Sequence, residues 1–236
     1  MTQIGSGTRA TMRGFTLVEA LAVTAILALL GAVLAPVLSA ARERARHSAC
    51  TSALRQVGQA MSLYVGDWDS LLPDRRDLKG TLPGGYRPWS GWPPSDPRAG
   101  WSAVVLEPYM RAPALWSCPS VESTSLGHAI AVAQPWPGGV ARYWMWRFDR
   151  RDEPVPLDNL WGKTEEQAVA DLRAANNPVV GSPDSPSDVE LATDPYFPRD
   201  RFADSPDVRG RSAHFGGRNR LFLDGHVRHL RDGRTQ

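Results

Sequence analysis

An apolar run from Phe15 to Pro36, with one carboxylate, Glu19, inside it, constrains this chain more than any other stretch. As a helix it would extend roughly 33 Å, enough to cross the hydrocarbon core of a bilayer. Arg9 and Arg13 precede it, which is the positive-inside arrangement of a membrane segment. A cleaved secretory signal would have a shorter apolar core followed by a small-residue cleavage site. Here the run continues directly into a charged stretch, Arg42, Glu43, Arg44 and Arg46. An ordinary anchor explains the length and the arginines but leaves Glu19 unexplained. A carboxylate inside a spanning helix is costly and marks a functional position. Pro36, near the far end, predicts a kink.

The residues Arg13-Gly14-Phe15-Thr16-Leu17-Val18-Glu19 resemble the processing site of type IV pilins and type II secretion pseudopilins. The resemblance lies in the basic residue, the glycine, the phenylalanine and the glutamate as fifth residue after the glycine. Pro36 also stands where those proteins carry a helix-kinking proline. The resemblance implies that a membrane aspartyl peptidase, the prepilin peptidase, cuts between Gly14 and Phe15 and methylates the new amine. Glu19 of one subunit would then pair with the Phe15 ammonium of a neighbour. Glu19 and Pro36 are thereby expected to serve assembly.

The divisions expected are a leader at 1–14, a helix at 15–66 and a head at 67–236. The helix spans the membrane to about residue 38 and is amphipathic afterwards, because Cys50, Leu54, Val57, Met61 and Tyr64 recur in steps of four and three. One head domain fits the remaining length. The formal net charge of +2 recommends no nucleic acid or acidic partner. Its basic residues are nearly all arginine, Lys79 and Lys163 being the exceptions, which reads as base composition.

Residues 73–100, rich in Pro, Gly and Arg, read as a surface loop. Residues 101–109 read as a short helix ending near Pro108. Residues 142–148, RYWMWRF, read as a strand. Thr164-x-x-Gln167 reads as a capping box opening a helix to about Ala175. Residues 178–181 and 189–193 read as short strands. A meander of three strands is expected at 211–230, with Gly216–Asn219 as its first turn and Asp224-Gly225 as its second. The fold class is therefore α+β, a long helix packed on a small antiparallel sheet with loop-rich insertions.

His214, nine intervening residues, then Asp224-Gly225 resemble the H-X9-DG pattern appended to many prepilin-like proteins. Leu54-Arg55-Gln56, the Trp101–Tyr109 segment and Cys118-Pro119 resemble the same group, while 120–205 matches only loosely. An exported domain with Cys50 and Cys118 permits a disulfide between them, the alternative being two buried thiols. Within the motif, Asp224 is expected to take backbone donors of the turn and His214 to bond nearby. Three histidines there, His214, His226 and His229, could gather a metal, but no cofactor or metal is assigned. By resemblance to secretion pseudopilins, calcium could sit in the loop carrying Asp184, Asp188, Glu190, Asp194 and Asp200.

Gly162-Lys163-Thr164 is not a phosphate loop, since Leu157 occupies the place of its first glycine. No nucleophile elbow or zinc-protease helix appears. The sequence reading is thus a non-enzymatic structural subunit of a pilus-like or secretion-like filament. Its expected partners are the prepilin peptidase, other subunits and the bacterial inner membrane, with the head outside the cytoplasm. The alternative is a membrane-tethered glycan-recognising module, for which eight tryptophans between Trp89 and Trp161 would form a stacking platform. The competing use of those rings is to fill the core.

Overall fold

A computed structural model describes residues 16–178, 181–203 and 206–235. The chain is α+β and divides into two compact units, residues 1–44 and 45–236. Helix α1, Leu17–Asp67, belongs to both and runs through Pro36 without interruption.

In the first unit every residue of α1 from Leu17 to Arg42 is exposed, including Leu17, Leu21, Leu29, Leu30, Val33 and Leu34. This part is long and apolar enough to cross a membrane. Thr16 and Glu19 open it as a reciprocal capping box. The Thr16 amide and hydroxyl both donate to Glu19 Oε2 at 2.8 Å, and the Glu19 amide donates to Thr16 Oγ1 at 3.2 Å.

In the second unit the pattern becomes one-sided. Cys50, Ala53, Leu54, Val57, Ala60 and Met61 are buried, on the face expected from the periodicity. Gly58 lies on that face because the sheet comes too close for a side chain. A Cβ there would stand 2.8 Å from Leu221 Cδ1 and 3.3 Å from Gly225 Cα.

Two further short helices follow, α2 at Arg76–Thr81 and α3 at Gly100–Val105. The stretch 73–100 is not the surface loop expected, since Lys79, Asp96 and Arg98 within it are buried. Arg98 forks onto Asp96 through Nε at 2.9 Å and a terminal nitrogen at 2.8 Å, and gives a further bond to Gly85 O at 2.6 Å. Lys79 Nζ donates to Asp96 O at 2.6 Å and Arg98 O at 3.2 Å. These cations satisfy carbonyls that an irregular segment cannot pair with itself, which lets it enter the interior. Lys163 does the same elsewhere, donating to Pro156 O and Leu157 O and pairing with Asp171 at 2.8 Å. Both lysines thus occupy sites where several acceptors converge on one ammonium.

After α4, Pro119–Glu122, strands β1 (Gln134–Trp136) and β2 (Gly139–Ala141) form an antiparallel hairpin. Residues 142–148 do not form the strand expected. Trp144 makes isolated bridges to Arg98 and Thr193, and Trp146–Phe148 is a 3-10 turn. Its rings pack in several directions at once, which a flat strand with two faces does not allow. Trp144 stands beside Trp146 and Phe197, while Phe148 lies 4.9 Å from Trp101 and 4.8 Å from Trp161.

Helix α5, Glu165–Ala175, begins where expected, with the Thr164 hydroxyl accepting from the Gln167 amide. The expected strand at 178–181 falls partly outside the described residues. Strand β3, Glu190–Thr193, then pairs with β4 (Gly217–Phe222), which pairs with β5 (Val227–Arg231). The three strands are antiparallel, but they are not the three expected. Residues 211–215 make only isolated bridges, Ser212 to Tyr196 and His214 to Gly217, and β3 takes the third place. Gly217–Asn219, expected in a turn, are the start of β4. The tight turn at Asp224-Gly225 is present, with Gly225 at φ +85°.

Candidate functional site

Cys50 and Cys118 are joined by a disulfide that ties α1 to the turn entering α4. It spans a separation of 68 residues. Closing a loop of that length in the unfolded chain is worth about 4 kcal/mol in the chain-entropy picture. His214 touches this bridge, its Nε2 lying 3.8 Å from Cys118 Sγ. The two sulfurs and His214 lie close enough to share a metal ion. Bonded to each other, however, the sulfurs are not the thiolates that bind one.

Around His214 a polar cluster joins α1 to the sheet. Asn219 Nδ2 lies 3.0 Å from His214 Nε2, and Asp194 Oδ2 lies 3.3 Å from the same nitrogen. The Asn219 amide donates to Asp194 Oδ2 at 2.9 Å. On its other side Asn219 Oδ1 lies 3.0 Å from His47 Nε2 and 3.4 Å from His229 Nδ1. Those two nitrogens are themselves 3.3 Å apart. The His47 ring stands edge-on to both other rings, with centroids 4.5 Å from His214 and 4.9 Å from His229. Burial, then the neighbouring His47 and His214, hold the His229 pKa below its ordinary value and favour the neutral ring.

Of the motif residues, Asp224 stands apart from His214. Its Oδ1 accepts from the His226 amide at 3.1 Å and contacts His226 Nδ1 at 2.6 Å, closing the turn locally. His226 stacks on Phe222 at 4.3 Å and takes no part in the histidine cluster. His47 was missed from the sequence because its partners are on β4 and β5. The histidine one turn before Cys50 on the buried side of an amphipathic helix was the available signal.

Four of the five carboxylates of 184–200 have separate partners. Asp184 accepts from Arg173 at 3.0 Å, and Asp188 accepts from the amides of Asp184 and Ser185. Glu190 pairs with Arg220 at 3.4 Å, and Asp194 belongs to the histidine cluster. Among the described residues these carboxylates are not gathered closely enough to share one ion.

Five of the nine tryptophans are buried in the core, three more pack against it and Trp68 is exposed. Trp101, Trp116, Trp144 and Trp161 are wholly buried, and Trp101 and Trp161 pack with centroids 4.5 Å apart. A cleft of about 560 Å³ is lined in part by Trp92, Trp146 and Tyr196. Three of its six arginines, Arg150, Arg218 and Arg220, hold Asp158, Asp232 and Glu190. The Tyr196 face is covered by the Arg218 guanidinium, 3.5 Å from the ring centroid. Trp89 and Trp92, half-buried, line a second cleft with Ala129, Ile130 and Phe197.

The processing site Gly14-Phe15 lies outside the described residues. Glu19 is described, at the exposed first turn of α1, and Pro36 lies within the exposed apolar part. No protein-family model, curated protein or solved structure matches this chain.

Proposed function

We propose that this chain is a structural subunit of a type IV pilus-like or type II secretion-like filament. The prepilin peptidase would cut it after Gly14, and it would stand in the inner membrane before assembly with its head outside the cytoplasm. The observation that carries this reading is the helix α1 itself. Its first half is apolar and exposed on every side, and its single carboxylate is in the first turn. A surface of that kind needs lipid or other helices around it. The capping box holds Glu19 beside the helix start, so a neighbour's Phe15 ammonium would meet a carboxylate already fixed in place. Such a pair selects one stagger between helices over slipped alternatives, even where desolvation limits its net energy.

N-terminal sequencing of protein extracted from membranes tests the proposal directly. A methylated Phe15 as first residue supports it, and an intact Met1 removes it.

A further inference from the structure

We propose that His47, Asn219 and His229 form a site for a divalent transition-metal ion, of which zinc is the natural occupant. The site is independent of the filament reading, because it lies wholly within residues 45–236.

The first argument is geometric. His47 Nε2, His229 Nδ1 and Asn219 Oδ1 form a triangle with edges of 3.3, 3.4 and 3.0 Å. Nitrogen and oxygen ligands about 2.1 Å from a zinc ion stand about 3.0 Å apart at right angles and about 3.4 Å apart in a tetrahedron. All three edges fall in that interval, so an ion just above the triangle reaches all three atoms without a change of backbone.

The second argument counts hydrogens. Both edges to Asn219 Oδ1 are hydrogen bonds only if His47 Nε2 and His229 Nδ1 each carry a proton. The edge between the imidazoles then sets N–H against N–H. Removing either proton repairs that edge and leaves a lone pair facing the carbonyl oxygen. Reversing the Asn219 amide supplies donors to both rings but again leaves the two ring nitrogens without a hydrogen between them. No arrangement of protons makes all three edges favourable, whereas one cation does. Asn219 Nδ2 lies 3.0 Å from His214 Nε2, and when that ring nitrogen is the unprotonated one the bond holds the orientation that presents Oδ1. His214 is thus a positioning residue, in the way that groups behind metal ligands usually act.

Two imidazoles and one amide oxygen suit zinc, nickel or copper, whereas calcium and magnesium require mostly oxygen. Asn219 is buried, His47 is half-buried and His229 is exposed, so an ion and its remaining water ligands can enter from solvent. The three residues come from α1, β4 and β5. A bound ion would staple the helix to two adjacent strands beside the disulfide.

The experiment uses the full chain in detergent micelles, free of any histidine tag. Zinc titration by calorimetry should give one ion per chain. Copper loading should give an electron paramagnetic resonance spectrum with imidazole nitrogen coupling. Zinc should raise the melting temperature. H47A and H229A should each weaken zinc binding by roughly a hundredfold or more, since loss of a group merely behind a ligand already costs about tenfold to a hundredfold. H226A, which removes a histidine outside the triangle, should bind as the wild type does. Because H229A alters an exposed side chain, its melting temperature without zinc should stay near that of the wild type, which separates ligand loss from misfolding. The proposal is overturned by absence of stoichiometric binding, by H229A binding as tightly as wild type, or by H226A losing the ion.

Discussion

His214 Nε2 lies 3.3 Å from Asp194 on the end of β3, while Asp224, the aspartate of its own motif, turns to His226. The spacing between His214 and Asp224 therefore measures the length of a hairpin and not a contact. Asp194 is fully buried and accepts from the Asn219 amide, whereas Asp224 is exposed and serves its own turn. Asp194→Ala should thus cost about 1–3 kcal/mol, through the buried Asn219 amide it leaves unpaired. Asp224→Ala should cost about 1 kcal/mol or less. Denaturant unfolding of the two variants ranks them, and equal losses would contradict this assignment.

Gly225 sits at φ +85° with open space where a Cβ would go. Gly225→Val should destabilise the head through backbone strain alone, by about 1–2 kcal/mol or more. Gly58→Val should destabilise it for the opposite reason, since its backbone is helical but Leu221 and Gly225 leave no room. Shortening Leu221 to Ala should rescue part of the Gly58 variant and none of the Gly225 variant. Melting temperatures of the single and double variants measure this, and equal rescue of both would refute the distinction.

Lys79 is wholly buried, and burial pushes its pKa down from 10.5 to about 8. A folded-state pKa below the unfolded one means that the unfolded chain binds more protons between the two values. Stability from this group should therefore rise as pH increases from about 8 towards 10.5, and the cost of burying the ammonium is fully present below that window. The melting temperature of Lys79→Met should lack this rise. If the variant and the wild type have parallel pH profiles, Lys79 is not the group responsible.

Glu19 has two separable roles in the proposed function, a cap and a charge. Glu19→Gln keeps a side chain able to complete the box with Thr16 but removes the charge, whereas Glu19→Ala removes both. Cleavage after Gly14 should persist in each, since it depends on the leader and the glycine. Crosslinking between cysteines placed on neighbouring N-terminal helices in membranes should fail in both variants if the charge fixes the stagger. Crosslinking retained in Glu19→Gln and lost in Glu19→Ala would assign Glu19 to the cap alone.

Whatever depends on local spacing is legible along the chain. An apolar run continuous enough to span a membrane, the step of four and three from Cys50 to Tyr64, the cap at Thr164 and the turn at Asp224-Gly225 all follow from neighbours along the chain. The capping box at Thr16 and Glu19 is equally local, since its two members are three residues apart. Tertiary structure decided what depends on remote partners. Residues 142–148 have the composition of a strand, yet contacts with Trp101, Trp161 and Phe197 bend them into a bridge and a 3-10 turn. The third strand of the sheet is β3 and not 211–215, because pairing is chosen by the face that must be covered. Lys79 and Arg98 took a loop of polar composition into the core by bonding its carbonyls. The histidine triangle draws one residue from a helix and two from strands far along the chain. No period or motif encodes such a meeting, because its atoms become neighbours only when the helix lies down on the sheet.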